Sequence, residues 1–442
     1  MPISGAFYRL ALGLMELGAQ LSPQLRPKLR ARQQWRTLLQ QLSDSPLPGG
    51  ERLWVHAASA GEFEHIRTVL EVLRGRLPEL RIVLSFFSPS GWDAHRQTPL
   101  ADRVVLLPPD TPRRVEEFLE LVRPTAAVFV RYELWPGYLE AVRRRGIPTA
   151  LVAATFPQSP LWRQPGIRAI LRRMLSSFTV IAALSPEDAA AFRSLAPGVP
   201  VEVIPDPRYD RIWSAVHDSA ASLPWEPHLE PDTFCLVAGS TWAEDHRVLA
   251  QAVNQLPLEL RRRLFLLLVP HEPIPETLRA VQRLFPKALR WSHLPSLPPP
   301  DGDVRVLVVD RVGMLLRLYR YGAAAYVGGG FGRCVHNVVE PAAHGLPLAC
   351  GPAVGKSPDA PKFHAAGALT IVRRAEELAA WLSTMMTSET ERKRRGAIAY
   401  ELVRRNTGGS LRVADLLETL LKSAGAAPQQ QQSPQPSEQP HP

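Results

Sequence analysis

At 442 residues the chain is too long for one typical domain, and its 45% hydrophobic content can fill two cores. A formal charge of +10, carried mostly by Arg, favours an acidic partner such as nucleic acid, a membrane surface or an anionic small molecule. No RNA-binding signature or zinc spacing supports nucleic acid. No run of about twenty apolar residues spans a bilayer, and Cys235, Cys334 and Cys350 lack CxxC spacing and read as buried, reduced thiols.

Residues 3–21 are apolar but interrupted by Arg9 and Glu16, and they lack the basic start and cleavage site of a signal peptide. An apolar face of Phe7, Leu10, Leu12, Leu14 and Leu17 is followed by Arg26, Lys28, Arg30, Arg32 and Arg36. Such a segment can lie on an anionic bilayer or pack as a first helix on its own domain. From residue 52 short apolar runs predict strands at 53–57, 82–87, 104–107, 126–130, 149–154, 179–184 and 201–204. Helical patterns lie between them; over 63–77, Phe63, Ile66, Val69, Leu70, Leu73 and Leu77 share one face. Alternating strands and helices without hairpins imply a parallel sheet covered on both sides.

Residues 217–232, rich in Pro, Ser and acidic residues, read as a linker. Strands are expected again at 234–238, 265–269, 306–309, 323–327, 346–350 and 369–372, with a proline-rich loop over 295–303. Helical patterns run to about residue 422, and the Gln-, Pro- and Ser-rich tail 424–442 is expected to be disordered. The expected class is α/β, with two Rossmann-like doubly wound domains facing a cleft. The expected limits are a membrane-associating helical segment 1–50, a first domain 51–216, a linker 217–232, a second domain with closing helices 233–423, and the tail.

Ligands of such sheets gather at the C-terminal strand ends. The first strand ends His56-Ala-Ala-Ser59-Ala-Gly61-Glu62. Ser59 and Glu62 have capping-box spacing, which marks a helix start. Glu62 is also a carboxylate placed to act as a general base, and Gly61 leaves room for a substrate. The fourth strand ends Arg131-Tyr132-Glu133-Leu134-Trp135-Pro136, so a second glutamate emerges at the same rim. In residues 203–211, Arg208 and Arg211 can reach a carboxylate or phosphate, or pair locally with Asp206 or Asp210.

In the second half, Gly239-Ser240-Thr241-Trp242-Ala243-Glu244 follows a strand, with Thr241 and Glu244 at capping distance, and Pro270-His271-Glu272 follows the next. Residues 326–352 read as a strand, a glycine turn, a short helix and a strand. Gly328, Gly329, Gly330 and Gly332 allow close backbone approach to a ligand. Asn337 and Glu340 stand at N-cap and N3 spacing on a helix that Gly345 can close. A glycine turn feeding a helix N-terminus suits an anion, which points to a nucleotide or phosphate. Residues 351–357 resemble a P-loop but are one residue short, and the 328–332 glycines do not satisfy GxGxxG. No HExxH or Asp-x-Asp spacing suggests a metal.

Five of these segments, in this order, resemble the 3-deoxy-D-manno-octulosonic acid (Kdo) transferases of lipopolysaccharide synthesis. They are His-Ala-Ala-Ser-Ala-Gly-Glu (56–62), Tyr-Glu-Leu-Trp-Pro (132–136), Ala-Gly-Ser-Thr-Trp (238–242), Val-Pro-His (269–271) and Gly-Gly-Gly-Phe-Gly…His-Asn-Val-Val-Glu (328–340). Gly-Gly-Gly-Phe-Gly and Pro-His-Glu look most like the Bacteroidetes branch. The resemblance implies a glycosyltransferase type B architecture and transfer of Kdo from CMP-Kdo to a lipid A precursor, with no cofactor and no metal. By position Glu62 matches the family's general base and Glu133 its second essential acid, with Ser59 and Gly61 on the acceptor side. Ser240, Thr241, His271, Gly329, Gly330, Asn337 and Glu340 match donor-side positions, as does Arg208. The implied place is the cytoplasmic face of the bacterial inner membrane, held peripherally, without nucleic acid as a partner. Pro205, Pro207, Cys334 and Ser357-Pro358-Asp359 depart from the family pattern. A sugar-nucleotide epimerase of the same architecture and a non-catalytic sugar-binding protein are the alternatives.

Overall fold

The computed structural model describes residues 33–157, 164–217, 232–296 and 305–425. The chain forms two compact units, Met1–Asp210 with Gly408–Pro442, and Arg211–Thr407. Each is built on a seven-stranded sheet in which every pairing is parallel.

In the first unit the strands are β1 (Arg52–Ala57), β2 (Arg81–Phe86), β3 (Arg103–Leu106), β4 (Ala126–Val130), β5 (Thr149–Ala154), β6 (Val180–Ala183) and β7 (Val201–Val203). Their spatial order is β3-β2-β1-β4-β5-β6-β7. The chain winds outward from β1 in one direction and then from β4 in the other, so the order reverses between β1 and β4. Their C-terminal ends therefore diverge into a crevice, the place where open α/β sheets bind ligands. Helices cover both faces, which is why β4 is buried along its whole length and reads as a continuous apolar run. Trp54 on β1 anchors the core against Phe118, Phe129 and Tyr138, at ring separations of 5.1–5.5 Å.

The second unit contains β8 (Phe234–Thr241), β9 (Leu264–Pro270), β10 (Leu289–Arg290), β11 (Arg305–Val308), β12 (Ala324–Val327), β13 (Leu348–Cys350) and β14 (Leu369–Ile371), ordered β10-β11-β9-β8-β12-β13-β14. Here the reversal falls between β8 and β12. All thirteen predicted strands are present; β10 was not expected, because two residues carry no periodic signal.

Three expectations need correction. The closing helix Gly409–Gly425 belongs to the first unit, not the second. Val413, Ala414, Leu417, Leu420 and Leu421 enter the first core, and Asp210 accepts hydrogen bonds from the Gly408 and Ser410 amides at its start. Gly409 permits this approach, because a Cβ there would stand 2.1 Å from the Pro205 carbonyl oxygen. The predicted helix over 63–77 is divided into Ala60–Phe63 and Arg67–Arg76. Finally, the helix Trp35–Asp44, placed in a membrane-associating segment by the sequence, packs on the first unit through buried Trp35, Leu39 and Leu42, with the Arg114 guanidinium 4.9 Å from the Trp35 ring. Residues 1–32, nearly all of the linker 217–232 and nearly all of the tail 424–442 lie outside the described residues.

Candidate active site

The β1–β4 crevice holds both predicted acids. Ser59 caps the helix Ala60–Phe63, its Oγ accepting from the Glu62 amide at 3.4 Å, while Glu62 Oε2 accepts from the Ser59 amide at 3.1 Å. The capping box thus fixes the carboxyl of Glu62, which is only 8% exposed. Burial first, then the neighbouring Glu133 charge, pushes Glu62 up to about 7; the Ala58 and Ser59 amides and Arg131 act in the opposite direction. A carboxyl tuned there ionises near neutral pH while remaining basic enough to take a proton. At Gly61 a Cβ would meet only Ser59 Oγ, at 3.9 Å, so that side of the turn is open.

Glu133 follows β4, whose next residue, Arg131, has φ 68°. This left-handed backbone is uncommon for a side chain of its size, and it turns the chain at the sheet edge. Glu133 Oε2 accepts from Trp135 Nε1 at 2.9 Å and lies 3.6 Å from Nε2 of the fully buried His56. The aromatic rings of Phe87 and Trp135 are 5.0 Å apart, and Phe87 and Tyr132 are exposed. Arg208, predicted on the donor side, instead grips Asp206 in this unit, with Nε and Nη2 at 2.9 and 2.7 Å from Oδ2.

The second unit brings its predicted residues together at the ends of β8, β9 and β12. Ser240 has φ 52°. The Thr241 hydroxyl is buried and engaged 2.9 Å from His246 Nε2. The helix after β8 starts after Trp242 rather than Thr241, and its cap is Asp245 rather than Glu244. Asp245, which sequence reasoning missed, ties the crevice together by accepting from the Trp242 amide (2.8 Å), the Gly329 amide (2.8 Å) and Tyr326 OH (2.7 Å). Burial raises its pKa, and the three donors oppose that rise.

Two of the glycines also have a packing role. A Cβ on Gly328 would lie 2.4 Å from the Ser240 carbonyl oxygen, and one on Gly330 2.6 Å from the Gly351 amide nitrogen. They let backbone pack on backbone, while Gly329, at φ 86°, makes the turn. His271 lies on an aromatic shelf, its ring 4.9 Å from Trp242 and 4.3 Å from His336. Asn337 Oδ1 accepts from the Val339 amide (2.9 Å), and its Nδ2 donates to Glu340 Oε1 (3.0 Å). The helix Val339–Ala343 is capped at Val338, so Asn337 sits one residue before the cap and Glu340 is the second helical residue, not N3. Five residues sum too few peptide dipoles to make the expected anion site by themselves. Burial raises the pKa of Glu340, and Asn337 and Arg211 counter it. Among the described residues no group of three His, Cys, Asp or Glu could hold a metal.

A sequence model of the 3-deoxy-D-manno-octulosonic-acid transferase (kdotransferase) family matches residues 27–211. The 3-deoxy-D-manno-octulosonic acid transferase of Haemophilus influenzae is 26% identical over 387 residues, covering 85% of this chain and 88% of that protein. Its Aquifex aeolicus counterpart is 29% identical over 346 residues, covering 77% and 88%. Over most of its length the chain is similar to Kdo transferases. The fold is shared more widely than the Kdo transferases. MurG from Acinetobacter baumannii superposes with a TM-score of 0.53 at 14% identity, covering 84% of this chain and all of that one. A UDP-GlcNAc 2-epimerase from Neisseria meningitidis gives 0.54 at 13%, with the same coverage. These likenesses concern the fold alone, the two-domain architecture expected from the sequence.

Proposed function

We propose that the protein is a Kdo transferase, which moves Kdo from CMP-Kdo to a lipid A precursor with Glu62 as general base. One observation carries the assignment of the base: a carboxyl fixed by its own capping box at the β1–β4 crevice and tuned to about 7. A sugar hydroxyl is a poor nucleophile. As its oxygen bonds to the anomeric carbon of Kdo, Glu62 accepts the hydroxyl proton, and the bond to the CMP phosphate oxygen breaks with its electron pair leaving on CMP. Glu133 is the second acid. It keeps the Glu62 proton affinity high and is oriented by Trp135 and His56.

Ser59 and the open side of Gly61 face the acceptor, and exposed Phe87 and Tyr132 suit an acylated one. The donor falls to the second unit. Ser240, Thr241, Gly329 and Gly330 offer backbone at the β8–β12 crevice, His271 offers a ring face, and Asn337 with Glu340 offers polar groups to a ribose. Arg208 serves the donor less directly, since its fork is occupied by Asp206. The Arg-rich N-terminal segment would hold the protein at the cytoplasmic face of the inner membrane.

Incubating the purified protein with CMP-Kdo and a lipid A precursor, followed by mass spectrometry, tests this. The expected product is the precursor carrying Kdo, formed by the wild type and not by Glu62→Gln. Turnover by that variant at the wild-type rate would remove Glu62 from its role.

A further inference from the structure

His65, which no sequence motif contains, joins the segment after β4 to the segment 203–211. His65 is 2% exposed. Its Nε2 is 2.8 Å from Arg131 Nη1 and its Nδ1 is 3.0 Å from Asp206 Oδ1. A guanidinium can only donate, so Nε2 must accept and the ring proton sits on Nδ1, where it donates to Asp206. Burial lowers the His65 pKa and keeps the ring neutral; Arg208 and Arg131 add to this, and Asp206 opposes it. Burial works against the Asp206 carboxylate, but His65 and Arg208 more than offset it. The Arg208 amide donates to Asp206 Oδ1 at 3.0 Å, and its side chain holds Oδ2. At the other end, Arg131 keeps its left-handed backbone, a conformation that persists where the surroundings over-determine it. Its guanidinium lies 5.4 Å from the Tyr132 ring centroid.

We propose that His65 is a positioning residue, locked in its Nδ1–H tautomer by Asp206 and Arg208, that holds the Arg131 guanidinium as counter-charge to the Glu62–Glu133 pair. The charged groups around Glu62 are Glu133 and Arg131, and His56 faces Glu133 from β1. His65 faces Asp206, Arg208 and Arg131. Its catalytic meaning rests on Glu62 being the base, whereas the tuning of the Glu62 carboxyl does not. The role predicts that releasing Arg131 makes Glu62 harder to ionise without touching the carboxyl itself.

The test is to titrate Glu62 directly, by carbon-13 NMR of Glu-labelled full-length protein, with Glu62→Gln assigning the signal. His65→Leu is expected to raise the midpoint by about half a pH unit at most. His65→Gln, whose amide oxygen can accept from Arg131, restores most of it. In an Arg131→Gln background His65→Leu adds nothing, because both act through one charge. If His65→Leu does not fold, Asp206→Asn serves at unchanged volume. Its amide can donate to Nδ1, forcing the Nε2–H tautomer that cannot accept from Arg131, so the midpoint rises again. An unchanged midpoint in the folded variants, or equal shifts with and without Arg131, overturns the proposal. The titration needs no turnover. A shifted midpoint in a protein that transfers no Kdo would sink the proposed reaction and leave the His65 role standing.

Discussion

Replacing Glu62 by Gln separates what this carboxyl costs the fold from what it gives the reaction. Its pKa is raised from 4.5 to about 7, chiefly by burial and then by Glu133. Below pH 4.5 the group is protonated in both the folded and unfolded chain, and it carries no penalty. Between 4.5 and 7 the unfolded chain loses the proton while the folded one keeps it, so stability falls as pH rises. Above 7 the full penalty is present. It is at most about 3 kcal/mol, and less where solvent screens the carboxyl. The Gln amide oxygen can still accept from the Ser59 amide, so the capping box survives. Glu62→Gln should therefore melt several degrees higher than wild type at pH 8, at roughly 2–4 °C per kcal/mol, and at the same temperature at pH 4. Transfer should fall by about 10²–10⁴-fold, the usual contribution of a general base. Calorimetric melts at the two pH values and a CMP-release assay read both effects. An unchanged or lower melting temperature at pH 8 would refute the reasoning about burial.

Gly328→Ala should destabilise the second unit severely, because its Cβ would meet backbone at 2.4 Å, whereas Gly332→Ala, with nothing nearer than 3.6 Å, should stay within about 0.5 kcal/mol in denaturant unfolding. Asp245→Ala leaves the Trp242 and Gly329 amides without their acceptor; at about 1–3 kcal/mol for each unpaired donor, it should lower urea resistance and abolish CMP binding measured by calorimetry. A chain ending at Thr407 loses the helix that buries Val413, Leu417, Leu420 and Leu421 in the first unit. At about 1.5–3 kcal/mol per large side chain, that loss is comparable to a typical total stability of about 5–15 kcal/mol, and limited proteolysis should degrade residues 33–210.

Glu62 and Glu133 were legible because each stands directly after an apolar strand, and in a doubly wound sheet that position fixes where a side chain emerges. Glu62 also announces itself through Ser59, three residues before it. The His65–Asp206 contact was not legible, since it joins residues 141 positions apart and His65 belongs to no local motif. Asp245 was obscured by Glu244, as adjacent acids compete for one capping position and only the helix start decides between them. The glycines at 328–330 stand out in the sequence, but their packing of backbone on backbone does not, because small residues that admit a ligand and those that admit another backbone look identical there. The helix Gly409–Gly425 shows an apolar face, but such a face does not say which core it will cover. Nothing local marks the return of the chain to its first unit.

Kdo transfer with Glu62 as base can be read from a single pH series. Wild type and Glu62→Gln would be incubated with CMP-Kdo and a lipid A precursor from pH 5 to 9, and the products weighed. A Kdo-bearing lipid is expected from the wild type alone, at a rate that falls tenfold per pH unit below about 7. A wild type that makes no such product would rule out Kdo transfer, and a Glu62→Gln variant that matches it across the series would rule out Glu62 as the base.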